Sequence, residues 1–286
     1  MVKFRRGGGL SENLEDRRGR GGLALGGGAV GIIGLIVSLL LSGGGGGGGG
    51  FDIEDVFSQV QGSSGTVDPA DEPLVEEMSA ALDDIQAFWE EHPEVGPVYR
   101  PATLVLFSDA VSTEGCGNAS AAVGPFYCPA DEQAYLDLSF FRELDARFDA
   151  PGDFARVYVL AHELGHHVQN LLGDNQRVRQ AQESDPGRAN ELSVRLELQA
   201  DCYAGLWAHS AQDRGLIEPG DLDEGLDAAA AVGDDRLQGQ SGSDVQTDSW
   251  THGSSAARQR WFGAGLESGR LESCDTFAAS TEDLGL

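Results

Sequence analysis

The sequence predicts an α+β domain, a small sheet followed by a helical region, preceded by one transmembrane helix. Three observations carry this. Short apolar, β-branched runs of strand length fall between residues 102 and 140. After residue 153 the apolar positions recur at spacings of three and four, with capping residues at the ends. Ahead of both, Gly22 to Ser42 carries no charge and has the length, about 20 residues, that a bilayer core requires. Strands first and helices after is the pattern of a segregated α+β fold.

Residues 1–21 read as a basic arm, in which Lys3, Arg5, Arg6, Arg17, Arg18 and Arg20 outnumber Glu12, Glu15 and Asp16. A basic flank before residues 22–42 and an acidic bulk after them place the N-terminus in the cytoplasm and the remainder outside the cell membrane. The arm is expected to stand apart from the fold. A cleaved secretory signal is the rival reading, but "LLLSGGGG" offers no small-x-small site and the apolar run exceeds a usual signal core. Residues 43–70, a glycine run followed by a Ser/Gly/Asp-rich stretch, form a flexible tether. Folding is then confined to 71–286. The chain carries a formal charge of −28, about −31 without the arm, which excludes nucleic acid and anionic lipid as partners for its bulk.

The elements follow in order. "DEPLVEEMSAALDDIQAFWEEHP" places Leu74, Met78, Leu82, Ile85 and Phe88 on one helical face, between Pro73 in the first turn and Pro93 beyond the end. "ATLVLF" is a strand, and "GPFYCPADEQAYLDLSF" two short strands about a Pro-Ala-Asp turn. "FARVYVLAHELGHHVQNLL" is helical from an N-cap at Asp153 to a stop at Gly173. Further helices run from about Asn190 to Gln212, from Asp221 to Val232 with a capping box between Asp221 and Glu224, and from Ser255 to Glu267. Cys116, Cys128, Cys202 and Cys274 form an even set without C-x-x-C, open to three pairings. Cys116 with Cys128 is favoured, closing a short loop worth roughly 3 kcal/mol of unfolded-state restriction, and leaves Cys202 for Cys274. Buried free thiols in a reducing compartment are the alternative.

"HELGH" is where chemistry concentrates. His162 and His166, four apart on a helix, can aim at one metal ion, and Glu163 sits one step round, near a water on that ion. Zinc in a catalytic site needs a third protein ligand and an open position. The extended pattern with a third histidine fails, because Gln169 and Leu172 stand where Gly and His would be needed. "ELQAD" supplies the other solution: Glu197 as third ligand, with Asp201 one turn on to accept the second ring N–H of a ligand histidine. His252, before a helix start, is a candidate donor to an oxyanion. His167 points off the metal face.

"AHELGHHVQ", "ELQADCYAGLW", "GDDRLQ", "DSWTHGSSAARQRWF" and "GPFYCPAD", behind a basic arm and one span, resemble the neutral zinc metallopeptidase family of bacterial membrane-anchored proteins over essentially the whole chain. The order of H-E-x-x-H, E-x-x-x-D and T-H-x-x-x-x-x-R is also similar to the CAAX-prenyl-protease and heat-shock membrane protease group of gluzincins. The resemblance implies a zincin-like domain that binds one Zn²⁺ through His162, His166 and Glu197, with Glu163 as general base and His252 and Arg258 as transition-state helpers. Peptide or protein substrates are then expected outside the membrane, aligned by strand addition along Tyr135 to Leu138. A zinc-braced interaction module without activity is the rival, and Glu163 speaks against it, since a structural site has no use for a base. An intramembrane protease would need the motif in a spanning bundle, but its helix carries Asp153, Arg156, Gln169 and Asn170.

Overall fold

The computed structural model describes residues 2–4, 9–19, 67–148, 152–218, 220–240 and 246–286. The expected anchor at 22–42 and nearly all of the tether lie outside these residues. Among the described residues no helix is long and apolar enough to cross a membrane.

A four-stranded sheet comes first. Its strands are β1 (Leu14–Asp16), β2 (Thr103–Phe107), β5 (Phe126–Cys128) and β6 (Gln133–Asp137), in the order β1-β2-β6-β5. β1, β2 and β6 are parallel and β5 is antiparallel to β6. A separate hairpin, β3 (Ala110–Ser112) and β4 (Asn118–Ser120), is bound to β5 by the Cys116–Cys128 disulfide. Leu104, Val105 and Leu106 of β2 are all buried, as expected where a strand has neighbours on both edges and layers on both faces.

β1 overturns the expectation that the arm stands apart from the fold. Leu14, Glu15 and Asp16 pair in register with Leu104, Val105 and Leu106, and the Arg17 N–H donates to the Leu106 carbonyl at 2.8 Å. The physical reason is the edge of β2, whose unpaired N–H and C=O groups require a partner. The arm's cations serve the same docking. Lys3 pairs with Glu218 and the buried Arg18 with Glu72, while Arg17 with Glu15 and Arg18 with Asp16 brace the arm internally.

β6 holds a second correction. It lies between β2 and β5, so both its edges are already paired and Tyr135 to Leu138 cannot receive an added strand. β5 is the edge on that side.

Five of the eight α-helices among the described residues follow the sequence closely, and three were not expected. α1 (Glu72–Glu91) buries Val75, Met78, Leu82, Ile85 and Trp89, a stripe turned one residue from the expected one, so that Leu74 and Phe88 are only partly covered. α2 (Ser139–Phe148) leads to α3 (Asp153–Leu172), which carries the motif and is buried on nearly every side. Gly173 ends α3 in the left-handed conformation. α4 (Asp174–Ser184) precedes α5 (Ala189–Asp213), α6 (Asp221–Ala231), α7 (Asp234–Gln240) and α8 (Ser255–Ser268). The proposed capping box in α6 does not form. Glu224 instead accepts from the Phe154 N–H and caps α3 across the fold.

α5 and α8 cross with their backbones in contact. A Cβ on Gly265 would lie 2.0 Å from the Cys202 carbonyl oxygen, and one on Gly205 would lie 2.0 Å from that of Phe262. Only glycine permits this approach, and the Cys202–Cys274 disulfide closes the same region. Gly265→Ala should lower stability by about 1–3 kcal/mol, the usual cost of overpacking, read as a shifted denaturation midpoint with unchanged slope.

Candidate metal centre

α3 and α5 pack against each other with His162, His166 and Glu197 turned inward, and one ligand atom of each falls within 4.8 Å of the others. His162 Nε2 is 3.3 Å from Glu197 Oε2, and His166 Nε2 is 3.6 Å from Glu197 Oε1. The two imidazoles meet edge to face at 4.7 Å. Three donors from two helices thus converge although 31 residues separate His166 from Glu197.

The rings are held from behind. His162 Nδ1 lies 2.9 Å from Asp201 Oδ1, and His166 Nδ1 lies 2.8 Å from Gln169 Oε1. Each Nδ1 therefore donates its proton to that acceptor, which leaves each Nε2 turned to the Glu197 side, where a metal ion would take its lone pair. Gln169 is itself fixed, its amide donating to the Leu196 carbonyl and to Gln199. The sequence shows Gln169 where the extended three-histidine pattern would need Gly, but did not reveal this bracing role.

Charge distribution favours a cation between these donors. Burial alone would lower His162, but Asp201 and Glu197 outweigh it and carry the imidazole up to about 9. Burial would raise Glu197, yet His166, His252 and His162 hold it well below the usual carboxylate range. Glu163, one step round α3, is buried and its carboxyl is pushed up by desolvation. Its Oε2 has no hydrogen-bond partner among the described residues. Two neutral imidazole nitrogens and a carboxylate match the borderline-soft donor set that zinc takes in catalytic sites, and an unsatisfied carboxylate oxygen alongside is costly unless it has a task.

Asp201 and Arg258 form one unit. Arg258, 2 % exposed, donates from Nε to Asp201 Oδ2 at 2.7 Å and from Nη2 to Oδ1 at 2.8 Å. Tyr158 donates its hydroxyl to the same carboxylate. The guanidinium expected beside an oxyanion is therefore committed to Asp201 and to the Val232 carbonyl. Its place is behind His162.

His252 sits on the other wall, near enough to Glu197 for each to shift the other's titration. Asp234 holds it. One oxygen of this buried carboxylate accepts the N–H groups of Thr251, His252 and Gly253 at 2.7–2.9 Å, and the other lies 3.3 Å from His252 Nδ1. Burial lowers His252, but Glu197 and Asp234 overcome it and raise the imidazole above its ordinary value. Next to it, Asp235 accepts from the Ser255 N–H and hydroxyl, and Gln238 accepts from Trp250 Nε1. "GDDRLQ" is thus the clamp on the His252 loop, a role its sequence did not disclose. His167, off the metal face as expected, is a buried strut between the Tyr127 hydroxyl and the Arg100 carbonyl.

Removing the guanidinium tests the unit behind His162. Arg258→Ala strands a fully buried Asp201 carboxylate, and such a loss costs about 3–5 kcal/mol, measurable by chemical denaturation of the metal-free protein.

Comparison with known proteins agrees with this geometry. The family model described as "Putative neutral zinc metallopeptidase" matches residues 3–277. The chain is 44 % identical over 280 residues to the uncharacterized protein YpfJ of Escherichia coli (strain K12), covering 94 % of this chain and 97 % of that one. It is 46 % identical over 217 residues to the uncharacterized proteins Mb2605 of Mycobacterium bovis and Rv2575 of Mycobacterium tuberculosis, covering 72 % of this chain and 71 % of theirs. No solved structure matches. With a matched region that takes in the arm, the motif helix, Glu197 and the His252 loop alike, the chain belongs to the neutral zinc metallopeptidase family.

Proposed function

We propose that the chain is a zinc-dependent endopeptidase that hydrolyses peptide bonds in an oxidising compartment outside the cytoplasm. The observation that carries this is Glu163, a buried carboxylate with an unpartnered oxygen beside three converging donors. A site whose metal only braces the fold gains nothing from such a group.

His162, His166 and Glu197 would hold one zinc, with His162 and His166 oriented by Asp201 and Gln169. When bound, zinc supplies Lewis acidity, polarising the scissile carbonyl and lowering the pKa of water at the site towards about 7. Glu163 accepts the proton of the attacking water and returns it to the leaving amine nitrogen. Its carboxyl, raised by burial, is suited to both transfers. His252 is fixed through Nδ1 by Asp234, leaving Nε2 to donate to the oxyanion that develops. Arg258 is given a positioning role here, acting through Asp201 on His162. An extended substrate aligns along β5, the edge strand nearest α3, and the acidic surface favours neutral or basic peptides. The two disulfides support an oxidising compartment, and the apolar run at 22–42 supports association with its membrane.

Glu163→Gln keeps shape and removes the base. It should retain one zinc per chain by elemental analysis and lose about 10²–10⁴ in rate against a quenched peptide library, while His162→Ala or Glu197→Ala should lose the metal. Chelation should stop the wild type. A zinc-loaded wild type that cleaves nothing across a broad library, or a Glu163→Gln protein as fast as wild type, would end this reading.

Asp234→Ala releases the His252 loop without touching a ligand. Zinc content should stay at the wild-type value while cleavage falls about 10–100-fold, as is usual when a group supporting a metal site is removed.

A further inference from the structure

The arm's place in the sheet bears on how the chain meets the membrane. We infer that the arm and the domain beginning at residue 71 lie on the same side of the membrane, with the arm serving as an edge strand of that domain.

Four sets of contacts lace the arm to the domain. The backbone of residues 13–17 is hydrogen-bonded to β2 on both sides of the paired segment, Leu104 N–H to the Asn13 carbonyl and Arg17 N–H to that of Leu106, each at 2.8 Å. The buried Ser11 donates its N–H to Ser79 Oγ of α1 at 2.7 Å. Farther forward, the Val2 N–H reaches the Asp153 carboxylate at the start of α3, and the Lys3 N–H donates to the Leu216 carbonyl at 2.9 Å. Arg18, 6 % exposed, bridges Asp16 and Glu72. A strand cannot hold these contacts from the far side of a hydrocarbon layer about 30 Å thick.

The charge pattern that suggests a cytoplasmic N-terminus has another explanation here. Lys3 lies against Glu218 and Arg18 against Glu72, each within 3 Å, so two of the arm's six cations are spent on docking, while Arg17 is paired inside the arm with Glu15. They are folding contacts, and their count is a weak guide to orientation. Pulling the arm away would also leave the edge of β2, a strand with Leu104, Val105 and Leu106 at 0–1 % exposure, with its backbone groups unpaired in the core of the sheet.

The full-length protein in its own membrane provides the test. Its four native cysteines are all in disulfides, so introduced thiols report alone. Glu15 and Val105 are register partners; the Glu15→Cys/Val105→Cys protein, oxidised in membranes and cut at a specific protease site inserted in the glycine run, should keep arm and domain joined until reduction. Val105→Cys alone should not. Leu10 and Val98 are exposed, at 51 % and 48 %, so Leu10→Cys and Val98→Cys spare the fold. An impermeant maleimide should label both to the same extent before permeabilisation. Labelling of Val98→Cys with protection of Leu10→Cys, or separation of the fragments without reductant, would overturn the assignment. Neither outcome depends on whether the metal centre is active.

Discussion

A carboxylate with no exposure to solvent, that of Asp201, joins the three helices on which the site depends. It accepts from Tyr158 and His162 of α3 and from Arg258 of α8, while its own backbone belongs to α5. Burying a charge is expensive unless it is paired and fully hydrogen-bonded, so the helices are held to the one arrangement that satisfies it. That arrangement also fixes the tautomer of His162. Stability and ligand geometry are therefore set by the same contacts, and neither can be altered alone.

The close crossing of α5 and α8 makes this possible. Gly205 and Gly265 bring the two backbones to contact distance, which lets the guanidinium of Arg258 reach Asp201 from the next helix. At the N-terminal end of α8, Ser254 caps the helix and the loop before it turns through Gly253 in the left-handed region. There Asp234 gathers three successive N–H groups, a compact way to fix the loop that carries His252. His252 is thus positioned by α7, an element with no ligand of its own.

The sheet does a different job. Its parallel core backs α3, its β1 edge is closed by the arm, and its β5 edge remains beside the motif helix, with the Tyr127 hydroxyl hydrogen-bonded to His167. Closing the β1 edge keeps the backbone groups of β2 from pairing with another chain.

Much of this was legible in the sequence. Periodicity located α1, α3, α5, α6 and α8 to within a residue or two, because their apolar faces are long and their ends marked by Pro, Gly or Ser. The four-residue spacing of His162 and His166, and of Glu197 and Asp201, put each pair on one helical face before any contact was known, and loop length favoured Cys116 with Cys128, which left Cys202 for Cys274. What stayed hidden depends on partners distant in the chain. Leu14–Asp16 is too short and polar to announce a strand and becomes one only against the open edge of β2. Glu224 looks like a cap for its own helix and caps α3, Asp234 looks like one acid among many and holds His252, and Arg258 looks free and is bound to Asp201. Local spacing determines which face a residue occupies, because helix and strand geometry repeat along the chain. Which group meets it across that face is decided by packing, where residues far apart in the chain compete to satisfy the same buried charges and backbone edges.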